Sequence, residues 1–212
     1  MAVLILVAHP DDEVLGAGGT IARYSNEGID VITVIFSSGE GSHPWLKKHV
    51  TIETREKETE KVSSILGAKK IINLGLADGT IWRESKGKQI FEEIISIIKE
   101  YKPDKIFTHA VDDPHPDHHA VYRVINEVIK MVNYKGHFYS FEVWNPLNIM
   151  KRKMPKMYVD VSKTFKIKIK ALKCFKSQKL FVFPLLPVTF LRAIVAGFYA
   201  HCRYAEAFYI VR

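Results

Sequence analysis

Two clusters of imidazole and carboxylate side chains dominate the chemistry open to this chain. The first is Ala8-His9-Pro10-Asp11-Asp12-Glu13; the second is Val111-Asp112-Asp113-Pro114-His115-Pro116-Asp117-His118-His119. Three adjacent acids beside an apolar run repel one another and resist leaving water unless something compensates them. A divalent metal is the simplest compensation. Zinc takes imidazole nitrogen and carboxylate oxygen, and a catalytic zinc keeps three protein ligands and a water. His9, Asp12 and one of His115 and His118 make such a set, leaving Asp11 and the other histidine close by. Metal-assisted hydrolysis needs that inventory: a polarised carbonyl, a carboxylate to take a proton from water, and an imidazole for the oxyanion or the leaving group. Taken singly, the first cluster reads as a solvated turn and the second as a capped helix start with surface histidines. Two such clusters at the same edge of one sheet argue against both bland readings.

The shared edge follows from the elements that carry them. Val3–Val7 is a run of apolar, mostly β-branched residues, a strand buried on both faces, and the small-residue stretch 14–21 after the first cluster leads into a helix. Asp30 to Ser38 is a second apolar strand. Residues 42–51 have no clear period and read as a loop; Thr51 to Leu66 is a charged helix with Gly67 as its C-cap. Lys70 to Leu74 is a short strand and Asp78-Gly79 a turn. Ile90, Phe91, Ile94, Ile95 and Ile98 stripe a helix over Gln89–Tyr101, stopped by Pro103. Lys105 to Thr108 is the strand that runs into the second cluster; a helix from about His118 to Met131 and a strand at His137–Val143 follow. Strand–helix alternation of this kind predicts an α/β fold, a Rossmann-like, mostly parallel sheet with helices on both faces, where ligands gather at the C-terminal strand ends. The expected organisation is one domain over 1–212, with 151–212 as its C-terminal extension.

Composition is ordinary for a globular chain: 212 residues, 47% hydrophobic and 25% charged. Cys174 and Cys202 form no C-x-x-C pair and fit a reducing compartment. The N-terminal apolar run lacks a basic flank and ends in acids, so it reads as a strand and not as a leader; a cytoplasmic location is the expectation. Gly16-x-Gly18-Gly19-Thr20 is not the dinucleotide pattern, and the acids before it would repel a pyrophosphate. Its small residues predict close helix–strand packing instead.

The net charge of +8 is uneven: residues 151–192 hold twelve Lys or Arg against one acid, Asp160, leaving −3 for the remainder. Lys163, Lys166, Lys170, Lys173 and Lys176 fall mostly on one face of a helix over 163–179, with Phe165, Ile169, Leu172 and Phe175 facing inward. The usual reading of such a face is solvated lysines on apolar stems, and no nucleic-acid partner is expected. Residues 180–198 carry one charge, Arg192. That length permits a spanning helix, but Pro184, Pro187, Gly197 and the central Arg192 argue against one. A buried or subunit-facing segment is expected, with contact at a membrane surface as the alternative.

At the two clusters the chain resembles the LmbE-like/PIG-L family of zinc-dependent de-N-acetylases. Ala8–Glu13 matches its A-H-P-D-D-E motif and His115–His118 its H-P-D-H motif. Arg55 with Glu58, Leu76–Gly79, Val159–Ser162, Lys170–Leu172, Ser177-Gln178 and Tyr204–Phe208 look like later family elements in the family's order. The resemblance implies zinc, with Fe2+ or another divalent ion as the alternative, on His9, Asp12 and His118. It implies Asp11 as general base toward the attacking water, and His115 as oxyanion stabiliser or general acid. Arg55 and Asp78 are the expected contacts to a sugar. Glu13, Asp113 and Asp117 are expected behind the ligands, where a carboxylate fixes an imidazole's tautomer. The implied reaction is removal of the N-acetyl group from an N-acetylglucosamine-type sugar or glycoside. The alternatives are a lipid-linked amino sugar, or hydrolysis of another bond. The partner is then a small N-acetylated sugar, and a homo-oligomer is a family expectation.

Overall fold

The computed structural model describes residues 1–43, 45–144 and 154–212. Seven strands form one sheet: β1 (Ala2–Val7), β2 (Asp30–Ser37), β3 (Lys70–Leu76), β4 (Lys105–His109), β5 (His137–Phe141), β6 (Lys156–Asp160) and β7 (Ala205–Ile210). Their order is β3-β2-β1-β4-β5-β7-β6. The first five are parallel; β7 runs antiparallel to both β5 and β6. The helices are α1 (Asp12–Asn26), α2 (Lys48–Leu66), α3 (Ile81–Ser85), α4 (Lys88–Tyr101), α5 (Pro116–Met131), α6 (Phe165–Leu172) and α7 (Lys179–Tyr199). The chain leaves β1 toward β2 and β3, then returns to place β4 on the other side of β1. The crevice between β1 and β4 is therefore the topological switch point, where an open α/β sheet binds ligands.

The two-residue period of β1 divides the core. Val3, Ile5 and Val7 pack with Val14, Ile21, Val62 and Phe165 on one face; Leu4, Leu6 and Ala8 pack with Ile94, Val121 and Val124 on the other. Burial on both faces is why this strand has no polar residue. The glycines of α1 lie where helix and sheet come closest. A Cβ on Gly16 would stand 2.2 Å from the Phe141 ring, and one on Gly19 would stand 2.8 Å from Val161. The close packing expected of this stretch is what those positions do.

The structure corrects the sequence reading at several element bounds. α2 begins at Lys48 and not at Thr51, so residues 48–50 are helical and not loop. α5 begins at Pro116, before His118, because proline is pre-set for the first helical position and His115 caps it, its Nδ1 accepting the Asp117 N–H at 3.3 Å. The helix expected over 163–179 is only Phe165–Leu172. Beyond it the chain turns, held by distant groups: the Glu58 carboxylate accepts the Ser177 N–H (2.9 Å) and hydroxyl (2.6 Å), and His43 Nε2 meets the Ser177 carbonyl at 2.9 Å. Glu58 is thereby spent on Ser177 and not on Arg55. Residues 180–198, expected buried or subunit-facing, form α7 along the outside of the molecule; Val182, Leu185, Thr189, Ala193 and Ala196 face inward and most of the remainder is exposed, so the segment is not buried within the chain as a whole. Of the basic run, Lys151, Arg152 and Lys153 lie outside the described residues.

Candidate metal centre and active site

The β1–α1 turn folds back on its own carboxylates. Asp12 Oδ2 accepts the His9 N–H at 2.9 Å, and Glu13 Oε2 accepts the Asp11 N–H at 2.9 Å. Asp11 sits at the helix N-cap with φ of 96°, a left-handed conformation that is strained for a residue with a side chain and common at functional turns. All four of His9, Asp11, Asp12 and Glu13 are buried. Asp12 Oδ2 is the common neighbour of the cluster. His118 Nε2 lies 3.2 Å from it and His9 Nδ1 3.6 Å. His118 arrives on the first turn of α5, so the crossover that places β4 beside β1 is what joins the two sequence clusters.

Carboxylates stand behind both histidines. Asp113 Oδ1 is 3.0 Å from His118 Nδ1 and accepts the His115 N–H at 3.1 Å; its Oδ2 accepts the Val143 and Trp144 N–H groups. Asp78 Oδ1 is 2.9 Å and Asp117 Oδ2 is 3.3 Å from His9 Nε2. Asp117 is itself tied to the Gly79 N–H and Asp78 to the Gly41 N–H, so two loops close over His9. Arg55 is 3% exposed and donates to the Pro10 and Gly39 carbonyls, with Nη2 at 3.5 Å from Asp11 Oδ2. Its guanidinium faces the first cluster and the turn after β2. The His115 ring is 5.2 Å from that of His9 and 4.6 Å from that of His118.

Burial and neighbouring charge set the protonation of the site in opposing ways. Burial pushes Asp11 up to about 7 while Arg55 pulls it down, and burial with the Asp11 charge pushes Glu13 up to about 8. Burial would raise Asp12 too, but the neighbouring His118 charge wins and holds it well below the carboxylate range. Burial opposes charge on His118, yet Asp12 and Asp113 carry it to about 9. His9 is raised in the same way by Asp117, Asp12 and Asp78 against its burial. Burial lowers His115, leaving it neutral; with Nδ1 accepting from Asp117, its proton sits on Nε2.

These residues suit a divalent cation. Donor atoms of His9, His115 and His118 lie within 4.8 Å of one another, as do those of Asp12, His109 and His118, and those of His9, Asp78 and Asp117. Asp12 belongs to the second grouping and not the first; its Oδ2 approaches the first at His118 Nε2 (3.2 Å) and His9 Nδ1 (3.6 Å). Both His118 nitrogens are buried and, despite their short distances to Asp12 and Asp113, are out of line for regular hydrogen bonds. The carboxylates hold protons on His9 and His118 where a cation would stand, and a nitrogen–nitrogen–oxygen donor set is one that zinc and iron(II) accept. A cavity of about 350 Å³ lies elsewhere, between α7 and the β5–β7–β6 edge.

His109 is the site residue that the sequence reading missed. It ends β4, is fully buried, and stacks on His118 at 3.8 Å between centroids. Its Nε2 accepts the Ala8 N–H at 2.9 Å, so that lone pair is used. Burial pushes His109 down to about 3, and its 3.5 Å approach to Asp12 is that of a neutral ring. The signal was its place, the last residue of the strand that feeds the second cluster.

A doubly wound sheet with an imidazole–carboxylate cluster at its switch point defines the class: an α/β protein with a histidine- and acid-lined site on the C-terminal strand edge. Within that class, the chain belongs to the PIG-L family (GlcNAc-PI de-N-acetylase), which matches residues 4–129. A Bacillus anthracis relative named "Probable N-acetyl-alpha-D-glucosaminyl L-malate deacetylase 2" is 30% identical over 149 residues, covering 65% of this chain and 64% of its own. The chain thus spans just under two thirds of that relative's length. Among solved structures, N,N'-diacetylchitobiose deacetylase from Pyrococcus horikoshii is 25% identical with a TM-score of 0.82, covering 99% of this chain and 83% of its own. A 4-carboxy-2-hydroxymuconate hydratase from Pseudomonas putida superposes with a TM-score of 0.85 at 21% identity, covering 100% and 96%. That last likeness is one of fold alone, and it shows that the fold by itself does not fix the reaction.

Proposed function

We propose that the chain is a metal-dependent amidohydrolase that removes the N-acetyl group from an N-acetylglucosamine-type sugar or glycoside. The observation that carries this reading is the approach of His9 and His118 to one oxygen of Asp12, beside the buried Asp11, in a PIG-L chain whose relatives are named deacetylases. His9, Asp12 and His118 would hold a divalent cation, zinc or iron(II), which when bound would supply Lewis acidity toward the acetamide carbonyl and the attacking water. Asp11 takes the proton of that water. Burial gives it the basicity for this near neutral pH, and Arg55 holds its carboxylate in place. His115 is neutral with Nε2–H free to donate to the carbonyl oxygen as negative charge builds there. The proton held by Asp11 then passes to the departing amine, and acetate leaves. Asp113 orients His118, and Asp78 and Asp117 orient His9.

The test is acetate release from a panel of N-acetylated sugars by metal-loaded protein and by its Asp11→Asn variant. Removing the base lowers turnover by about 10²–10⁴-fold, with bound metal unchanged on elemental analysis. Metal-loaded protein that releases no acetate from any panel member overturns the reading.

A further inference from the structure

α7 carries an uninterrupted apolar stripe on its outward face. Leu180, Phe183, Pro187, Leu191, Ile194 and Phe198 recur every three or four residues along the whole helix, and Leu180 and Phe198, one at each end, are 75% and 78% exposed. A patch this long is larger than a monomer leaves in water without a use for it. The inner face is in part committed to the protein and for the rest borders the cavity between α7 and the β5–β7–β6 edge. Its small residues meet the body of the molecule closely, a Cβ on Gly197 falling 2.7 Å from the Cys202 carbonyl oxygen, and Arg192 donates to the Glu142 carbonyl. Although α7 is long and apolar enough to cross a bilayer, this packing lays it along the molecule.

The surroundings of the stripe are basic. α6 adjoins α7 through Phe165 and Phe190, whose rings meet edge to face at 5.0 Å. On α6 and the turn into α7, Lys163, Lys166, Lys170, Lys173, Lys176 and Lys179 are all exposed. From Val161 to Arg212 the only acid is Glu206, which is buried and paired with Lys168. No carboxylate of that stretch is left to neutralise the six lysines. A second copy docked by the same face would bring lysine toward lysine. An anionic bilayer offers the opposite charge at the headgroups and a place for the stripe beneath them.

We propose that α7, with the lysines beside it, is a monotopic docking surface for an anionic membrane. The helix would lie in the interface plane, its stripe among the acyl chains and the lysines at the headgroups. Docking also orients the candidate active site. α7 starts at Gln178, whose Nε2 donates to Ser42 Oγ; Arg55 reaches that same hydroxyl, and its Nη2 reaches Asp11. The N-terminal end of the stripe therefore lies a few side chains from the metal cluster, and docking brings that side of the protein to the bilayer.

The test is sedimentation of the full chain with vesicles of phosphatidylcholine alone or mixed with phosphatidylglycerol, at low and high salt. Binding to the mixed vesicles only, weakened by salt, is expected. The Leu191→Asp, Phe198→Asp double variant should lose it by about tenfold or more, with circular dichroism and activity on a soluble substrate unchanged. A second variant, Lys166→Glu, Lys170→Glu, Lys173→Glu, should lose the preference for anionic lipid. The proposal is overturned by no binding to the mixed vesicles, by binding that the double variant retains, or by a concentration-dependent oligomer in ultracentrifugation that the double variant disperses. Binding that survives alkaline carbonate also overturns it, because it makes α7 a spanning helix.

Discussion

Asp113 shows how much of this site is done by residues that would touch no substrate. Its two oxygens hold His118 Nδ1, the His115 N–H and the backbone after β5, so one carboxylate fixes the orientation of two imidazoles and the start of the segment beyond Phe141. Its neighbours keep it ionised against its burial, down to about 2, with the His118 contact the main cause. Replacing it by alanine frees His118 to rotate and to change tautomer. Asp113→Ala should weaken metal affinity about 10–100-fold, measured by competition with a chelator of known affinity, while Asp113→Asn keeps the hydrogen bonds to Val143 and Trp144 and so retains the fold. Equal metal affinity in wild type and Asp113→Ala would show that the contact at 3.0 Å does not orient a ligand.

Among the elements, α1 is pinned to β7 by one buried pair. Glu206 on β7 accepts the Gly19 and Thr20 N–H groups inside α1 and meets Lys168 of α6 at 2.6 Å. Both side chains are about 5% exposed, so removing one partner leaves an unpaired charge in the core. Lys168→Ala should cost about 3–5 kcal/mol in urea unfolding, far more than the same change at exposed Lys170. This pair also marks where the sequence stops being legible. The five parallel strands could be read from local pattern because their apolar runs and the helices between them repeat a familiar period. His9, Asp11, Asp12, His115 and His118 could be read because they crowd into two short stretches. Lys168 could not, since nothing local separates it from Lys166 and Lys170 until α6 is packed on α1. Nor could the end of α6, set by Glu58 from more than a hundred residues away. The contact between Asp78 and His9 was hidden for the same reason: it depends on strand order, which a single sequence does not state.

For the whole molecule, the proposed metal is also a structural tie. Its three proposed ligands come from the turn after β1 and the first turn of α5, and the loop bearing Asp78 and Asp117 of α5 lean on one of them. A ligand that binds only the folded state stabilises it by mass action. Zinc at a hundred times its dissociation constant should therefore add about 2.7 kcal/mol, read as a rise in Tm that a chelator reverses. The rise should persist in Asp11→Asn and vanish in His118→Ala, which separates loss of the base from loss of the metal.

β7 lies inside the sheet, between β5 and β6, although it follows both in the chain. Until residues 205–210 leave the ribosome, β5 has an open edge, and α1 lacks the carboxylate that holds its Gly19 and Thr20 amides, 187 and 186 residues away in sequence. Closing so long a loop is slow. A nascent chain whose parallel strands pair before that would present an unpaired β5 edge, the form most open to chaperone capture or to pairing with another chain.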